Sequence, residues 1–185
     1  MATVSFNVLK RLEQLLFYGL FIAIPFQIRS ILYYPGWRFN EWQSVALWGT
    51  DVILVSLLGL WLIYSIRTRT VSLIGINSYK EPGFWLLVFL VLAAVSMKAA
   101  PLQYLAWYSW VRLVEFILFF FYIKYYATQK FEFSRAALAL IAGGFFQGVL
   151  AMTQFSLQRH IGFHWFGEGI LNPLTPGTAV FYNFA

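Results

Sequence analysis

The chain has 185 residues, of which 61% are hydrophobic and 11% are charged, with a formal net charge of +6 and no cysteine. Because ordinary soluble domains carry about 25% charged residues, this composition predicts an integral membrane protein whose apolar side chains face lipid. A chain without cysteine has no disulfides, thiolate catalysis or cysteine-based zinc sites. Its basic residues form no stripe, so we expect no nucleic-acid partner.

Five apolar segments are long enough to cross a ~30 Å hydrocarbon core as helices, which takes about 20 residues each: 12–32, 45–66, 83–97, 102–126 and 136–157. We therefore predict an all-α fold, a polytopic transmembrane helix bundle that forms one domain over residues 1–185. Lys10 and Arg11 resemble the start of a signal peptide, but no cleavage site follows the long apolar stretch, so we predict a retained helix. Pro25 is expected to kink this helix or to mark where it leaves the membrane.

The loops between these segments differ in positive charge. With a cytoplasmic N-terminus, the inner side holds eight basic residues: Lys10, Arg11, Arg67, Arg69, Lys80, Lys124, Lys130 and Arg135. The outer side then holds four: Arg29, Arg38, Lys98 and Arg159. The positive-inside rule therefore predicts an N-terminus in the cytoplasm and, after five spans, a C-terminus outside.

Arg112 and Glu115 lie three residues apart within the fourth apolar segment, a spacing that places both on one helix face. Charged residues inside a membrane normally face a partner or a wet cavity, because they cost at least ~2.5–3.5 kcal/mol in hydrocarbon. One interpretation is an Arg112–Glu115 ion pair that fixes the rotation of the helix. The other is that Arg112 binds an anionic lipid-linked group such as a pyrophosphate, with Glu115 orienting the guanidinium.

Asp51 begins the second segment on the predicted outer side, after Gly49 and Thr50. An acidic residue there complements the helix dipole, and Thr50 is a candidate cap. A role for Asp51 as a general base in glycosyl transfer is the alternative.

The fifth segment carries two glutamines on one face, Gln147 and Gln154, together with Gly143. Gly144 and Gly148 form a G-x-x-x-G on an adjacent stripe. Small residues and buried amides of this kind favour helix packing, and a polar substrate groove is the alternative.

The sequence predicts neither a metal site nor a cofactor. His160 and His164 have helical spacing for joint metal binding, but Gly162 interrupts them and Glu168 is the nearby carboxylate. Nucleotide-binding motifs and the common hydrolase and metalloprotease motifs do not occur.

Several stretches resemble the N-terminal part of the O-antigen ligase/polymerase family of bacterial membrane glycosyltransferases. They are FIAIPFQIRSI at 21–31, the start of the second helix at 49–51, WVRLVEF at 110–116 and MTQFSLQRHIGFHWFGE at 152–168. The resemblance implies an enzyme of about a dozen spans in the bacterial inner membrane. Such an enzyme transfers a glycan from an undecaprenyl-diphosphate carrier to an acceptor on the outer side, without a metal.

The family's catalytic arginines and histidine lie in later outer loops, so the resemblance assigns no catalytic residue here. Arg29, Arg38 and Arg112 are candidates for substrate contact, along with Glu115 and Asp51. The tail at 172–185 departs from the family pattern, and we expect a partial enzyme that is inactive without further helices or a second membrane subunit. The alternatives are a membrane scaffold or subunit for another envelope enzyme and, less favoured, a transporter module.

Overall fold

A computed structural model describes residues 2–26, 28–33, 43–68 and 79–157, together with Gly162. The long helices are α1 (Ala2–Ala23), α2 (Gly49–Thr68), α3 (Pro82–Ser96), α4 (Gln103–Tyr122) and α6 (Phe133–Leu157). A 3-10 turn (Met97–Ala99) follows α3, and a π-helical turn (Ile123–Ala127) and the single turn α5 (Thr128–Lys130) follow α4. Two short strands, β1 (Arg29–Tyr33) and β2 (Val45–Trp48), lie between α1 and α2. The described chain is thus mainly helical, as predicted.

Four described helical stretches are long and apolar enough to cross a membrane, namely Gly49–Ile66, Pro82–Ala99, Gln103–Lys130 and Phe133–Leu157. They support the prediction of a membrane protein. Helix α1 is 22 residues long but carries Lys10, Arg11 and Glu13 near its middle. The predicted count of five spans and the orientation of the termini therefore stay predictions.

The first two predicted segments differ from the structure where the strands lie. Helix α1 ends at Ala23 rather than continuing to residue 32, and Ile24 and Pro25 form a turn. Proline lacks an N–H donor and disfavours helical backbone in the residue before it, which explains the stop. Residues 45–48, expected to be helical, form β2.

The strands form a two-stranded antiparallel sheet, called here the hairpin although the structure does not describe residues 34–42. The pairs are Arg29 with Trp48, Ser30 with Leu47, Ile31 with Ala46 and Tyr33 with Val45, with an irregularity between Ile31 and Tyr33. The amide of Gly49 donates to the carbonyl of Ile28 at 2.9 Å, so the ladder continues directly into α2. Pairing provides partners for backbone groups that a membrane environment would leave unsatisfied.

Helix α1 packs against both α2 and α6. Its Phe17 is fully buried and stacks on Phe131 with ring centroids 4.4 Å apart. The surrounding core residues are Leu20, Leu54, Leu57, Leu58, Trp61, Tyr122, Ala127 and Ala136. Helix α3 packs against α4 and exposes five large apolar side chains, which is the pattern of a helix that faces lipid. They are Trp85, Phe89, Val91, Leu92 and Val95.

Gly143 permits the close approach of α6 to α1. A Cβ atom added at Gly143 would lie 2.4 Å from the carbonyl oxygen of Ile22, too close for any side chain. Phe26 and Phe146 contact each other next to this point, with ring centroids 5.7 Å apart. Absence of a side chain at residue 143 thus sets the distance between the two helices.

Candidate functional site

The candidate site lies where the hairpin meets α2 and α4, and Arg112 of α4 is at its centre. The Nη2 atom of Arg112 lies 3.1 Å from Oδ1 of Asp51 in the first turn of α2. The expected Arg112–Glu115 ion pair does not form: among the described residues, Asp51 supplies the carboxylate that pairs with this guanidinium. Because the two partners are 61 residues apart, helical spacing within α4 could not reveal the pair.

Two tyrosines on the same stripe of α4 connect it to the hairpin. The hydroxyl of Tyr108 accepts a hydrogen bond from Nη1 of Arg112 at 3.1 Å and donates to the carbonyl of Ala46 at 2.7 Å. One turn earlier, the hydroxyl of Tyr104 donates to the carbonyl of Gln43 at 3.3 Å. The spacing of four residues from Tyr104 to Tyr108 to Arg112 explains why all three side chains share one face.

Asp51 has a second role at the start of α2. Its Oδ2 atom accepts a hydrogen bond from the backbone N–H of Trp48 at 3.2 Å. This reach back over three residues satisfies a donor that the beginning of a helix leaves unpaired, like the acidic residue of a capping box. The carboxylate therefore begins the helix and orients Arg112 with its other oxygen.

Aromatic rings surround the guanidinium of Arg112. Its Cζ atom lies 5.9 Å from the ring centre of Trp48, 5.7 Å from that of Tyr108 and 5.9 Å from that of Phe116. The Cζ atom of Arg29 lies 5.5 Å from the same Trp48 ring. Each such contact stabilises a cation by roughly 0.5–2 kcal/mol, so Trp48 brings two arginines to one location.

Part of the hydrogen-bonding capacity of this site is unused by the described residues. The Nε atom of Arg112 is buried and has no hydrogen-bond partner there. Glu115 lies within electrostatic range of both Asp51 and Arg112, yet in the described ranges it forms no hydrogen bond or ion pair. A guanidinium with a free Nε–H can donate to an anionic oxygen.

The other residues singled out from the sequence do not lie beside Arg112 in the described structure. Arg38, His160, His164 and the tail at 172–185 lie outside the described residues. On α6, Oε1 of Gln147 and Nε2 of Gln154 are buried without a partner in the described part of the chain. A Cβ atom added at Gly144 or Gly148 would meet no described atom within 4 Å. The G-x-x-x-G stripe therefore makes no helix contact within the described bundle, whereas Gly143 does.

A second polar cluster, at the other end of α4, was not predicted. Glu13 of α1 is 5% exposed, and its carboxylate accepts hydrogen bonds from Tyr122 at 3.2 Å and Tyr126 at 3.3 Å. Lys130 forms an ion pair with the same carboxylate. The sequence signal for this cluster is the acidic residue Glu13 within an apolar helix. Its partners could not be predicted because they lie 109 to 117 residues away.

Close to this cluster, Lys124 pairs with Glu81 at 2.7 Å, and Tyr125 donates to the same carboxylate at 3.1 Å. The hydrogen bonds from Lys124 and Tyr125 lower the pKa of Glu81, which lies just before α3. The π-helical turn carries Lys124, Tyr125 and Tyr126, and such turns change the direction of side chains relative to a regular helix.

No known protein family, curated protein or solved structure matches the chain. Within the described ranges, no group of three or more histidine, aspartate or glutamate side chains could hold a metal ion.

Proposed function

We propose that the chain is the N-terminal part of an O-antigen ligase-type membrane glycosyltransferase, and that its hairpin end binds the diphosphate of an undecaprenyl-linked glycan. In this proposal the protein lies in the bacterial inner membrane with the hairpin on the outer side. The observation that carries it is the guanidinium of Arg112, held beside the hairpin with an Nε–H that has no hydrogen-bond partner among the described residues. The resemblance of 21–31, 49–51, 110–116 and 152–168 to that family supports the choice of ligand.

The contacts of Arg112 suit recognition of a diphosphate. Asp51 and Tyr108 each bind one terminal nitrogen, which fixes the plane of the guanidinium and leaves further N–H groups for a ligand. An arginine stays charged and binds phosphate oxygens through two parallel hydrogen bonds. In a glycosyl transfer, such a group stabilises the negative charge that develops on the departing diphosphate. The described residues assign no group to accept the proton of the acceptor.

A membrane scaffold or subunit is the second candidate function. Helix α4 is joined to the hairpin or to α2 by contacts of Arg112, Tyr108 and Tyr104, as expected of residues that only stabilise the fold. One amide atom each of Gln147 and Gln154 has no partner in the described part of the chain. This favours a neighbouring protein helix, since buried amides hydrogen-bond across helix contacts. The two functions differ in whether Arg112 binds a ligand.

Binding of undecaprenyl diphosphate to the purified chain in lipid nanodiscs tests the proposal. Arg112→Gln removes the charged hydrogen-bond donor, whose bonds contribute about 1.5–3 kcal/mol, so we expect dissociation constants roughly 10- to 100-fold higher. Arg112→Lys keeps the charge and loses the planar fork, so we expect an intermediate loss. Lys98→Gln is the matched control, because Lys98 is an exposed cation in the 3-10 turn that precedes α4.

Size-exclusion chromatography and circular dichroism establish that each variant is folded before its affinity is compared. Equal binding by the wild type and a folded Arg112→Gln variant would exclude the ligand role and favour the scaffold. An equal loss in Lys98→Gln would show that the effect is general electrostatic attraction rather than recognition by Arg112.

A further inference from the structure

One face of α1 remains uncovered by the described bundle and forms an open groove of about 510 Å³. The residues that line it are Arg11, Gln14, Leu15, Tyr18, Gly19 and Ile22. They follow one stripe of the helix at intervals of three and four residues, opposite the face on which Glu13 and Phe17 enter the core. The groove is thus separate from the site around Arg112.

Polarity changes along the groove in one direction. Arg11 and Gln14 lie at its beginning, and Leu15, Gly19 and Ile22 continue it as an apolar surface. From Arg11 to Ile22 the helix rises by eleven steps of about 1.5 Å, or about 16 Å in total. This is close to half of the ~30 Å hydrocarbon core. The groove has the length and the polarity gradient of a single lipid leaflet.

The depth of Arg11 agrees with this comparison. Glu13, two residues further along α1, contacts Lys130, which is the last residue of the apolar stretch Gln103–Lys130. Arg11 therefore lies at the boundary of the apolar layer, where lipid headgroups are found.

Three side chains in the groove carry hydrogen-bond donors that no described residue accepts. In the described part of the chain, the guanidinium of Arg11, the amide of Gln14 and the hydroxyl of Tyr18 form no hydrogen bond or ion pair. The apolar half is open at Gly19, because a Cβ atom added there would meet no described atom within 4 Å. A ligand that fits must therefore provide anionic oxygens at one end and a hydrocarbon chain at the other.

We propose that this groove is a binding site for an anionic phospholipid of the surrounding bilayer. The phosphate accepts hydrogen bonds from Arg11 and Gln14, and one acyl chain lies along Leu15, Gly19 and Ile22. Positive charge near a membrane surface attracts anionic lipid, so this site selects phosphatidylglycerol over phosphatidylcholine. The proposal does not depend on the function of the hairpin end.

Native mass spectrometry of the purified chain tests the headgroup contact, with phosphatidylglycerol and phosphatidylcholine of identical acyl chains as the added lipids. One basic residue near the surface contributes about 1 kcal/mol, or roughly fivefold in affinity. We expect Arg11→Gln to reduce phosphatidylglycerol binding about fivefold and to leave phosphatidylcholine binding nearly unchanged. Arg135→Gln is the control, since Arg135 is 60% exposed at the start of α6 and outside the groove. Equal effects of the two variants, or no preference for phosphatidylglycerol in the wild type, would overturn the proposal.

Gly19→Leu tests the acyl-chain contact by filling the groove floor. We expect it to reduce binding of both lipids. Gly59→Leu in α2 is the control, because a Cβ atom there also meets no described atom within 4 Å. Unchanged lipid binding in Gly19→Leu would show that no chain occupies the groove. A loss equal to that of Gly59→Leu would assign the effect to the bundle as a whole and would likewise contradict the proposal.

Discussion

The ion pair between Asp51 and Arg112 leads to a quantitative prediction. Asp51→Asn and Arg112→Met are made singly and together, and the free energy of unfolding is measured by titration with SDS. Two unit charges about 4 Å apart attract each other by ~1 kcal/mol in water and ~4 kcal/mol at the effective dielectric constant of a protein surface. The side chains are 10% and 27% exposed, so the pair lies between these limits. We expect a coupling free energy of about 2 kcal/mol, within the range measured for contacting residues.

A parallel cycle with Glu115→Gln and Arg112→Met is the control for this prediction. Glu115 lies three residues from Arg112 on the same helix but forms no ion pair with it in the described structure. Neighbours at this spacing interact by only ~0.2–0.5 kcal/mol, so we expect a coupling no larger than that. The reasoning is refuted if the Glu115 cycle shows the larger coupling, because Arg112 would then pair within α4 as the sequence pattern indicates.

Two further predictions use the same unfolding measurement. Gly143→Ala places a methyl group 2.4 Å from the backbone oxygen of Ile22 and should destabilise the protein by about 1–3 kcal/mol. Gly144→Ala meets no described atom within 4 Å and should be neutral or stabilising by up to ~1 kcal/mol. Equal effects of the two substitutions would contradict the close helix approach. The hydrogen bond from Lys124 lowers the pKa of Glu81 below its ordinary value of 4.5, so its contribution to stability is complete above pH 4.5 and is lost as the pH falls through the lowered pKa. Glu81→Gln should therefore flatten the decline of the melting temperature below pH 4.5, and an unchanged slope would exclude this linkage.

The helical part of the fold could be predicted because it depends on local information. Long apolar segments indicate membrane helices whatever they pack against, and the predicted segment 136–157 lies within α6 (Phe133–Leu157). The strands could not be predicted in this way. Strands of four and five residues are too short to differ from the apolar ends of helices. Pro25 marked the interruption, but its position alone does not distinguish a kinked helix from one that stops.

The sequence predicts which residues belong to the candidate site better than it predicts the contacts between them. The sequence indicates both Arg112 and Asp51 as candidates for substrate contact: Arg112 because charges inside a membrane are costly, and Asp51 because it lies at the start of a helix. Their pairing depends on the tertiary contact of α4 with the start of α2, and the sequence favoured Glu115 because it is three residues away. The same limit applies to Glu13, whose partner Lys130 lies 117 residues later.

Helix α4 is held by polar contacts in its first half and at its last residue, and this arrangement bears on either proposed function. Tyr108 and Arg112 fix it to the hairpin and to α2, while Tyr122 contacts Glu13 of α1. Arg112 and Tyr122 are ten residues apart, about 15 Å along the helix. Two contacts at that separation prevent rotation of the helix about its axis without breaking at least one of them. The guanidinium is therefore oriented before any ligand arrives, so binding an anion there requires little ordering of the side chain, which is the condition under which a few hydrogen bonds give useful affinity.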